Sequence, residues 1–367
     1  MRVLVTGAAG LIGGELTGLL AERGHAVVAL VRRGRTVKRN DGRVVPAGPW
    51  GGAPPGPGGV ALLQGDVCQP GLRLAPAERA ALAGGLDLVV HGAAATGFGL
   101  DPAVYRDVNL GGTANILALA EAGPNGPIPL LHVSTAYVCG ERSGPILETE
   151  LDVGQSFANG YEASKAAAER LVAAASRRGV PVAVARPSIV VGASDDGAIG
   201  AFGNIYLLIK LLAEGRVRTL PARPDAGLDL VPVDHVAGGL LDIAERMEAA
   251  AGRTFHLVSG APTALAEFAA LAPDYPRFHI PRFVAPEAFD PASLPPSERR
   301  WHRQVIEPYA SYFRRDPRFH ADALRALTGR TCPPLGVPFL RRLVAYCVAA
   351  GFLVPPPTPS GGQRTSG

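Results

Sequence analysis

Uninterrupted apolar segments alternate with amphipathic ones along the first half of the chain. Apolar runs without regular polar interruption are typical of strands buried on both faces. They cover residues 3–5, 26–31, 61–64, 86–91, 129–134 and 182–186. Helical periodicity predicts helices between them, at residues 13–23, 77–83, 104–122 and 161–178. The alternation predicts an α/β fold of the Rossmann type, a doubly wound parallel sheet with helices on both faces.

The pattern loosens after residue 186. Further elements are predicted as helices at residues 204–214, 236–247 and 337–350 and a strand at 254–258, with weak helices in the Pro-rich stretch 260–336. In the first half, an insertion at 34–60 breaks the alternation. Its residues 46–59 are rich in Pro and Gly and predict a mobile loop.

These changes of pattern suggest a division of the chain. We predict that residues 1–186 form a Rossmann domain and that residues 187–354 form a smaller, mainly C-terminal substrate-binding lobe. Some segments of that lobe are expected to return to the sheet. Residues 355–367 are rich in Pro, Gly and Ser and are predicted to be a disordered tail.

Composition excludes several classes of function. The chain has 367 residues, 47% of them hydrophobic and 19% charged, with a net charge of +4. A core can therefore be buried, and no nucleic-acid partner is indicated. The four cysteines form no CxxC pair and no metal site is predicted. No apolar stretch is long enough for a membrane span and no signal peptide is recognised, so we expect a cytoplasmic protein.

A glycine-rich loop follows the first strand and opens the first helix. It reads Thr6-Gly7-Ala8-Ala9-Gly10-Leu11-Ile12-Gly13. In this context Gly7 permits a tight turn, Gly10 lets the backbone approach a pyrophosphate, and Gly13 lets helix and strand pack closely. The helix N-terminus then favours an anion. We predict that Thr6, Gly7, Gly10, Leu11, Ile12 and Gly13 bind a dinucleotide.

The end of the second strand favours NADPH as the cofactor. NAD enzymes usually have an acidic residue there, whereas this strand ends in Arg32 and Arg33, which could bind a 2′-phosphate. NADH is the less favoured cofactor, and an ordinary basic loop is the alternative reading of the arginines. Other cofactor contacts are predicted after the third and fourth strands, at Asp66, Val67, Ala93 and Ala94.

The chemistry is predicted to reside in a tyrosine and a lysine four residues apart. Tyr161 and Lys165 lie on one helix face. An ammonium near a phenol lowers its pKa, which would let Tyr161 exchange protons, while Lys165 would also hold the nicotinamide ribose. A second pair with this spacing, Tyr206 and Lys210, lies in the lobe and is read as structural.

Two further polar residues complete the predicted catalytic set. Thr135 lies at the carboxyl end of the fifth strand, where its hydroxyl could stabilise negative charge on a substrate oxygen. Ser134 is the alternative, and Thr135 is preferred. Asn109, in the long helix, either fixes a proton-relay water or is a buried polar residue with a structural role.

Together these motifs resemble the extended short-chain dehydrogenase/reductase family. The glycine loop, Val108-Asn109-Leu-Gly-Gly-Thr113, Ser134-Thr135, Tyr161/Lys165 and Arg186-Pro187 follow the family's order and spacing over residues 1 to about 260. The resemblance implies catalytic roles for Thr135, Tyr161 and Lys165, and a cofactor contact at Pro187. The motifs around His132, Ala185 and Leu228 are similar to the fatty acyl-CoA reductase and thioester reductase branch.

The resemblance implies reduction of an acyl thioester, on coenzyme A or an acyl carrier protein, to an aldehyde or an alcohol. Arginines such as Arg299, Arg300 and Arg303 could contact such a partner or form a solvated surface. Two alternatives remain open. One is a sugar-nucleotide epimerase, a dehydratase or a hydroxysteroid-type dehydrogenase. The other is a non-enzymatic NADPH-sensing protein. Oligomeric state also stays open, with a homodimer through helices 104–122 and 161–178 as one possibility.

Overall fold

Eight parallel strands form the central sheet. The computed structural model describes residues 1–34, 36–203, 205–272, 275 and 279–354, so the predicted tail at 355–367 lies outside the described residues. In chain order the strands are β1 (Arg2–Thr6), β2 (Ala26–Val31), β3 (Gly48–Pro49), β4 (Val60–Gln64), β5 (Leu88–His91), β6 (Leu130–Val133), β7 (Val182–Pro187) and β8 (Thr254–Leu257).

The order of these strands across the sheet is β8-β7-β6-β5-β1-β2-β4-β3. The chain moves outward from β1 first in one direction and then in the other, so the strand order reverses between β1 and β5. Ligands bind at the carboxyl ends of the strands beside such a reversal. The predicted Rossmann-type parallel sheet is confirmed.

Helices cover both faces of the sheet and form much of the remaining chain. They are α1 (Leu11–Glu22), α2 (Pro76–Gly85), α3 (Pro102–Tyr105, a π-helical turn Arg106–Gly111, and Gly112–Glu121), α4 (Gly160–Arg177), α5 (Ile205–Ala213), α6 (Val233–Glu245), α7 (Met247–Ala250), α8 (Pro296–Trp301, continued by a π-helical turn His302–Ile306), α9 (Asp322–Thr328) and α10 (Gly336–Ala349). Short 3₁₀ segments lie at Pro70–Arg73, Ala136–Cys139, Leu265–Leu271, Pro286–Ala288, Pro291–Ser293 and Glu307–Phe313.

The uninterrupted apolar strands are explained by burial on both faces. Along β1, Val3 and Val5 belong to one buried cluster with residues of α1 and α6, whereas Leu4 belongs to a second cluster with residues of α3 and α4. Successive side chains of a strand point to opposite faces, so a sheet between two helical layers requires apolar residues at every position.

Part of the insertion at 34–60 has regular structure. Strand β3 pairs with β4 and becomes the edge of the sheet, and Val37–Lys38 pairs antiparallel with Val44–Val45. The hairpin is held to α1 because Arg39 donates to Glu15 Oε1 at 2.9 Å and also pairs with Glu22. A Pro- and Gly-rich composition therefore concealed an added strand, which is fixed by pairing that local sequence does not reveal.

Beyond β7, the chain supplies most of a further hydrophobic cluster, which also includes Ala136, Tyr137, Cys139 and Ile146, and it returns to the sheet. Strand β8 pairs with β7, and α6 packs on α1. Short strand pairs join the rest: Ile189–Val191 with Leu230–Pro232, Thr219–Pro221 with Arg282–Val284, Gly227–Leu228 with Thr263–Ala264, and Pro317–Phe319 with Gly144–Ile146. Among the helices that the structure describes, none combines the length and apolar character needed to cross a membrane.

Replacement of Gly13 by Ala is expected to destabilise the fold, because the added Cβ would lie 2.1 Å from the carbonyl oxygen of Gly7. We expect the free energy of unfolding to fall by about 3 kcal/mol, measured by chemical denaturation. Gly51→Ala is the control, since a Cβ there meets no atom within 4 Å. Equal stabilities of the two variants would contradict the close-approach argument.

Candidate active site

The loop between β1 and α1 has the backbone geometry of an anion-binding site. Gly7 adopts a φ of +71°, and a Cβ there would lie 2.7 Å from the backbone of Gly92. Gly10 differs, because its Cβ would meet only the Gly7 carbonyl oxygen, at 3.2 Å. Gly10 is also the N-cap of α1, with no side-chain cap and no acidic residue in the first turn. The amide groups that begin α1 are therefore suited to a pyrophosphate.

A cavity of about 840 Å³ extends from this loop along the carboxyl edge of the sheet. Most of the residues predicted to contact cofactor or substrate line it. They are Gly7, Gly10, Leu11, Ile12, Gly13, Arg32, Asp66, Val67, Ala93, Ala94, Thr135, Tyr161 and Pro187, together with the alternative Ser134. Thr6, Arg33, Asn109 and Lys165 do not belong to this lining. The structure thus brings together residues that follow five different strands, with Tyr161 at the start of α4 and Pro187 at the end of β7.

Thr6 and Arg33 occupy different surroundings from those that the sequence suggested. Thr6 is fully buried, and its Oγ1 lies 2.8 Å from Nδ1 of His91 and accepts the amide of Ala93 at 3.2 Å. It therefore supports the cavity wall from behind. Arg33 is exposed and does not line the cavity. Of the two neighbouring arginines, only Arg32 reaches the lining.

Tyr161 and Thr135 bring two hydroxyl groups to the same wall. Desolvation by the surrounding protein raises the pKa of Tyr161 to about 12, while its hydrogen bond with Thr135 acts in the opposite direction. Thr135 is buried; its hydroxyl accepts the amide of Tyr137 and donates to the carbonyl of Pro187, each at 3.3 Å. Within the described chain, the buried hydroxyl of Ser134 has no hydrogen-bond partner. Ser134 is thus a further candidate for contact with a ligand.

The ammonium of Lys165 has a different contact from the one that the sequence suggested. Its ammonium donates to the carbonyl oxygen of Val133 at 2.8 Å, and the groups that shift the Tyr161 pKa do not include it. Burial lowers the pKa of Lys165 to about 8, and the nearby carboxylate of Glu169 opposes that shift. The two side chains share a helix face, but the ammonium points toward the end of β6. The predicted lowering of the Tyr161 pKa by Lys165 stays a prediction.

Asn109 connects two elements of the site by hydrogen bonds. Its Oδ1 accepts the amide of Ala95 at 2.8 Å, and its Nδ2 donates to the Ala95 carbonyl at 3.1 Å and to Ser164 Oγ at 2.8 Å. Ser164 in turn donates to the carbonyl of Tyr161 at 2.7 Å. Asn109 is fully buried in the π-helical turn of α3. These contacts tie the loop after β5 to the helix that carries Tyr161.

The sequence did not reveal an aromatic wall of the cavity. Phe98, Tyr137, Tyr309 and Tyr312 all line the cavity. The ring of Phe98 lies 6.2 Å from that of Tyr161 and 4.9 Å from that of Tyr309, measured between centroids. Tyr309 and Tyr312 come from the Pro-rich stretch after residue 260, which has no clear periodicity. No local signal in the sequence could have assigned them to this wall.

A buried ion pair supports that wall from behind. Arg315 Nη2 donates to Glu162 Oε1 at 2.5 Å, and both side chains are buried. The guanidinium also lies 4.3 Å from the centroid of Tyr312 and 5.0 Å from that of Tyr137. Because Glu162 follows Tyr161 directly, this pair links the C-terminal part of the chain to the start of α4. Glu162 was visible within the Tyr161–Lys165 motif, but its distant partner was not.

A family model described as "Male sterility protein" matches residues 5–240. The protein is also similar to glycine betaine reductase ATRR of Emericella nidulans, with 33% identity over 194 residues, or 51% of this chain and 15% of that protein. A second relative is the 4-hydroxy-2-methyl-3-oxo-4-farnesyl-3,4-dihydroquinoline-1-oxide ketoreductase of Stigmatella aurantiaca. It is 30% identical over 277 residues, 74% of this chain and 72% of that enzyme.

The whole fold is similar to that of a solved structure. The terminal R domain from the myxalamid PKS-NRPS biosynthetic pathway superimposes with a TM-score of 0.78 at 26% identity, covering 97% of this chain and 92% of that one. The coverage of the curated relatives is uneven. The chain spans less than a fifth of the length of three of them, at 15%, 4% and 18%.

Removal of one partner of the buried Arg315–Glu162 pair is expected to destabilise the protein. Arg315→Met leaves the Glu162 carboxylate buried without its cation, which should lower the free energy of unfolding by about 3–5 kcal/mol. The double variant Arg315→Met/Glu162→Gln should recover part of the loss, because the buried charge is also removed. Chemical denaturation measures both, with exposed Arg318→Met as control. Additive effects of the two substitutions would argue against a coupled pair.

Proposed function

The chain belongs to the male sterility protein family of NAD-binding domains, within the extended short-chain dehydrogenases/reductases, and from that premise we propose that it uses NADPH to reduce an acyl thioester. The thioester would be carried by coenzyme A or by a carrier protein, and the product would be an aldehyde or an alcohol. The named reductases among its relatives and its similarity to a terminal R domain support this proposal.

The observation that carries the proposal is the distribution of charge along the cavity. Arg32 and Asp66 are the only charged side chains among its described lining residues, and both belong to the end beside the glycine loop. The part lined by the C-terminal lobe is apolar, with Ile189, Val190, Phe202, Ile205, Leu208, Leu228 and Phe313. Such a surface suits a neutral carbonyl compound with an apolar substituent.

The same distribution disfavours a sugar nucleotide. A diphosphate loses its hydration on binding and requires cationic or N–H partners in return. The described residues of the lobe contribute no cation to the cavity lining. A reductase acting on an uncharged reacting group therefore fits this cavity better than an epimerase or a dehydratase does.

The proposed reduction assigns distinct roles to the two hydroxyl groups. When bound, the nicotinamide cofactor supplies a hydride to the carbonyl carbon. Tyr161 donates a hydrogen bond to the carbonyl oxygen as its negative charge develops and delivers a proton to it. Thr135 would donate to the same oxygen once its hydroxyl turns away from the Pro187 carbonyl. The raised pKa of Tyr161, about 12, keeps that proton on the phenol at neutral pH. Lys165 lies just outside the cavity lining and would hold the nicotinamide ribose if its ammonium turned from the Val133 carbonyl toward the cavity.

With a thioester substrate, the reaction would continue beyond this step. Addition of hydride and proton gives a hemithioacetal, whose carbon–sulfur bond then breaks. The electron pair of that bond leaves with sulfur, the hydroxyl proton is transferred, and the products are an aldehyde and a thiol. A second hydride and proton would convert the aldehyde to an alcohol.

The remaining predicted residues support this site from outside the reaction. We assign Asn109 as a positioning residue, because its side chain joins the loop after β5 to α4 rather than lining the cavity. In this proposal residues 1–186 hold the cofactor, and residues 187–354 supply most of the substrate wall.

Reduction of a ketone is the second candidate. It is favoured by the Stigmatella aurantiaca relative, which is named a ketoreductase and is matched over 72% of its length. Here Tyr161 would deliver its proton to the same oxygen, and no bond to a leaving group would break. Only the products distinguish the two reactions, since a thioester releases a free thiol.

Tyr161→Phe is expected to lower kcat for thioester-dependent NADPH oxidation by about 10²–10⁴-fold, since the general acid is lost. The assay follows NADPH absorbance and thiol release together, with acyl-CoA and acyl-pantetheine thioesters and with ketones of similar size. Lys165→Met should also be strongly impaired. Lys210→Met, which removes the lysine of the other Tyr/Lys pair, should remain active. Ketone turnover without thioester turnover would promote the second candidate.

Arg32→Gln is expected to change the choice of cofactor. Removal of the guanidinium that lines the cavity should raise KM for NADPH about tenfold, because charge-assisted hydrogen bonds to a phosphate are lost. The KM for NADH should change little. Arg33→Gln provides a matched control, since the adjacent side chain is exposed and lies outside the lining. Equal effects of both substitutions on NADPH would argue against a specific role for Arg32.

A further inference from the structure

A second concave surface lies beside the reaction cavity. This anionic-arm groove, as we name it, has a volume of about 700 Å³ and runs between α3, the start of α4 and the segment 303–314. Phe98 lines both the groove and the reaction cavity. The charged residues of the groove lining are Arg106, Arg303, Arg314, Glu141 and Glu307.

The two spaces meet next to the proposed reacting centre. The ring centroid of Phe98 is 6.2 Å from that of Tyr161. The loop that carries Phe98 is fixed by Tyr105, whose hydroxyl donates to the Gly97 carbonyl at 2.5 Å and accepts the Leu100 amide at 3.2 Å. Gly160 gives the Tyr105 ring room to pack, because a Cβ there would lie 2.8 Å from it. Phe98 is therefore held where the groove adjoins the cavity.

The arginines of the groove are available to an anion. Arg303 and Arg314 are exposed, and neither makes an ion pair within the part of the chain that the structure describes. Arg106 contacts only its exposed neighbour Asp107, at 3.4 Å. The three guanidiniums outnumber the two carboxylates on the same lining. Guanidinium groups bind phosphate oxygens through paired hydrogen bonds.

We propose that this groove binds the phosphate-bearing pantetheine arm of the thioester substrate. The inference rests on the proposed thioester reduction. A thioester has an acyl part and a thiol part on opposite sides of its carbonyl. The apolar cavity suits the acyl part, and the groove suits an extended arm that ends in a phosphate. The carbonyl then lies where the two spaces meet, beside Phe98 and Tyr161.

The test uses two substrates that differ by one phosphate. An acyl group is presented on 4′-phosphopantetheine or on pantetheine to the unchanged protein and to Arg303→Gln/Arg314→Gln. In the double variant, KM for the phosphorylated substrate should rise about tenfold. The KM for the unphosphorylated substrate, and kcat for both, should stay within about twofold. Equal changes for the two substrates, or none, would overturn the proposal.

Arg177→Gln is the matched control. It removes an exposed arginine at the far end of the helix that carries Tyr161, about 24 Å along the axis. It should leave both KM values unchanged. A similar rise in the KM for the phosphorylated substrate in this control would indicate a general charge effect and not a specific groove.

Binding without turnover separates this proposal from the proposed function. Isothermal titration with 4′-phosphopantetheine and with pantetheine should detect tighter binding of the phosphorylated compound, lost in the double variant. Such binding without thioester turnover would overturn the thioester reaction and leave the groove assignment standing. Thioester turnover without any phosphate preference would do the reverse.

Further measurements identify which molecule carries the pantetheine arm and test whether something else occupies the anionic-arm groove. A lower KM for acyl-CoA than for acyl-phosphopantetheine indicates coenzyme A as the source, whereas preference for a loaded carrier protein indicates a carrier. Because α3 and α4 line the groove, a second copy of the chain could cover it instead. A dimer in sedimentation that dissociates on the Arg303→Gln/Arg314→Gln change would overturn the proposal.

Discussion

The close approach of backbone at the end of β1 constrains the arrangement of the whole cofactor side. A Cβ on Gly13 would lie 2.1 Å from the Gly7 carbonyl oxygen, and one on Gly7 would meet the backbone of Gly92 after β5. Strand β1, helix α1 and the loop after β5 can therefore converge only without side chains at these points. That convergence lies where the strand order reverses, so the amide groups beginning α1 open directly into the cavity.

Helix α4 links the glycine-loop end of the cavity to the rest of the site through residues on one of its faces. Tyr161, Lys165 and Glu169 follow one another at intervals of four and so share a face. Glu169 is held by Arg186 of β7 at 2.7 Å, and Glu162, at the same end of the helix as Tyr161, is held by Arg315. Two buried ion pairs thus hold α4 against β7 and against the C-terminal segment that carries Arg315. Such pairs restrict geometry more than they add stability, because desolvation offsets their attraction.

Sequence patterns predicted those parts of this arrangement that depend on local rules. The predicted strand 26–31 coincides with β2, and helix 161–178 differs from α4 by one residue at each end. The glycine loop was evident because its steric requirements fall within eight residues. In contrast, strand β3 depends on pairing with β4, the aromatic wall on residues near 309, and the partner of Glu162 on a contact across 153 positions. Nothing in local periodicity encodes such contacts.

The protonation state of Tyr161 connects the architecture with the chemistry of the site. Oxidation of an alcohol would require the phenolate, which burial disfavours by raising the pKa to about 12. Lys165 lies on the same helix face and donates from its ammonium to the Val133 carbonyl. Reduction instead requires a phenol that still holds its proton beside an apolar cavity. Desolvation by the wall around Tyr161 therefore keeps its hydroxyl available as a hydrogen-bond donor beside an apolar cavity.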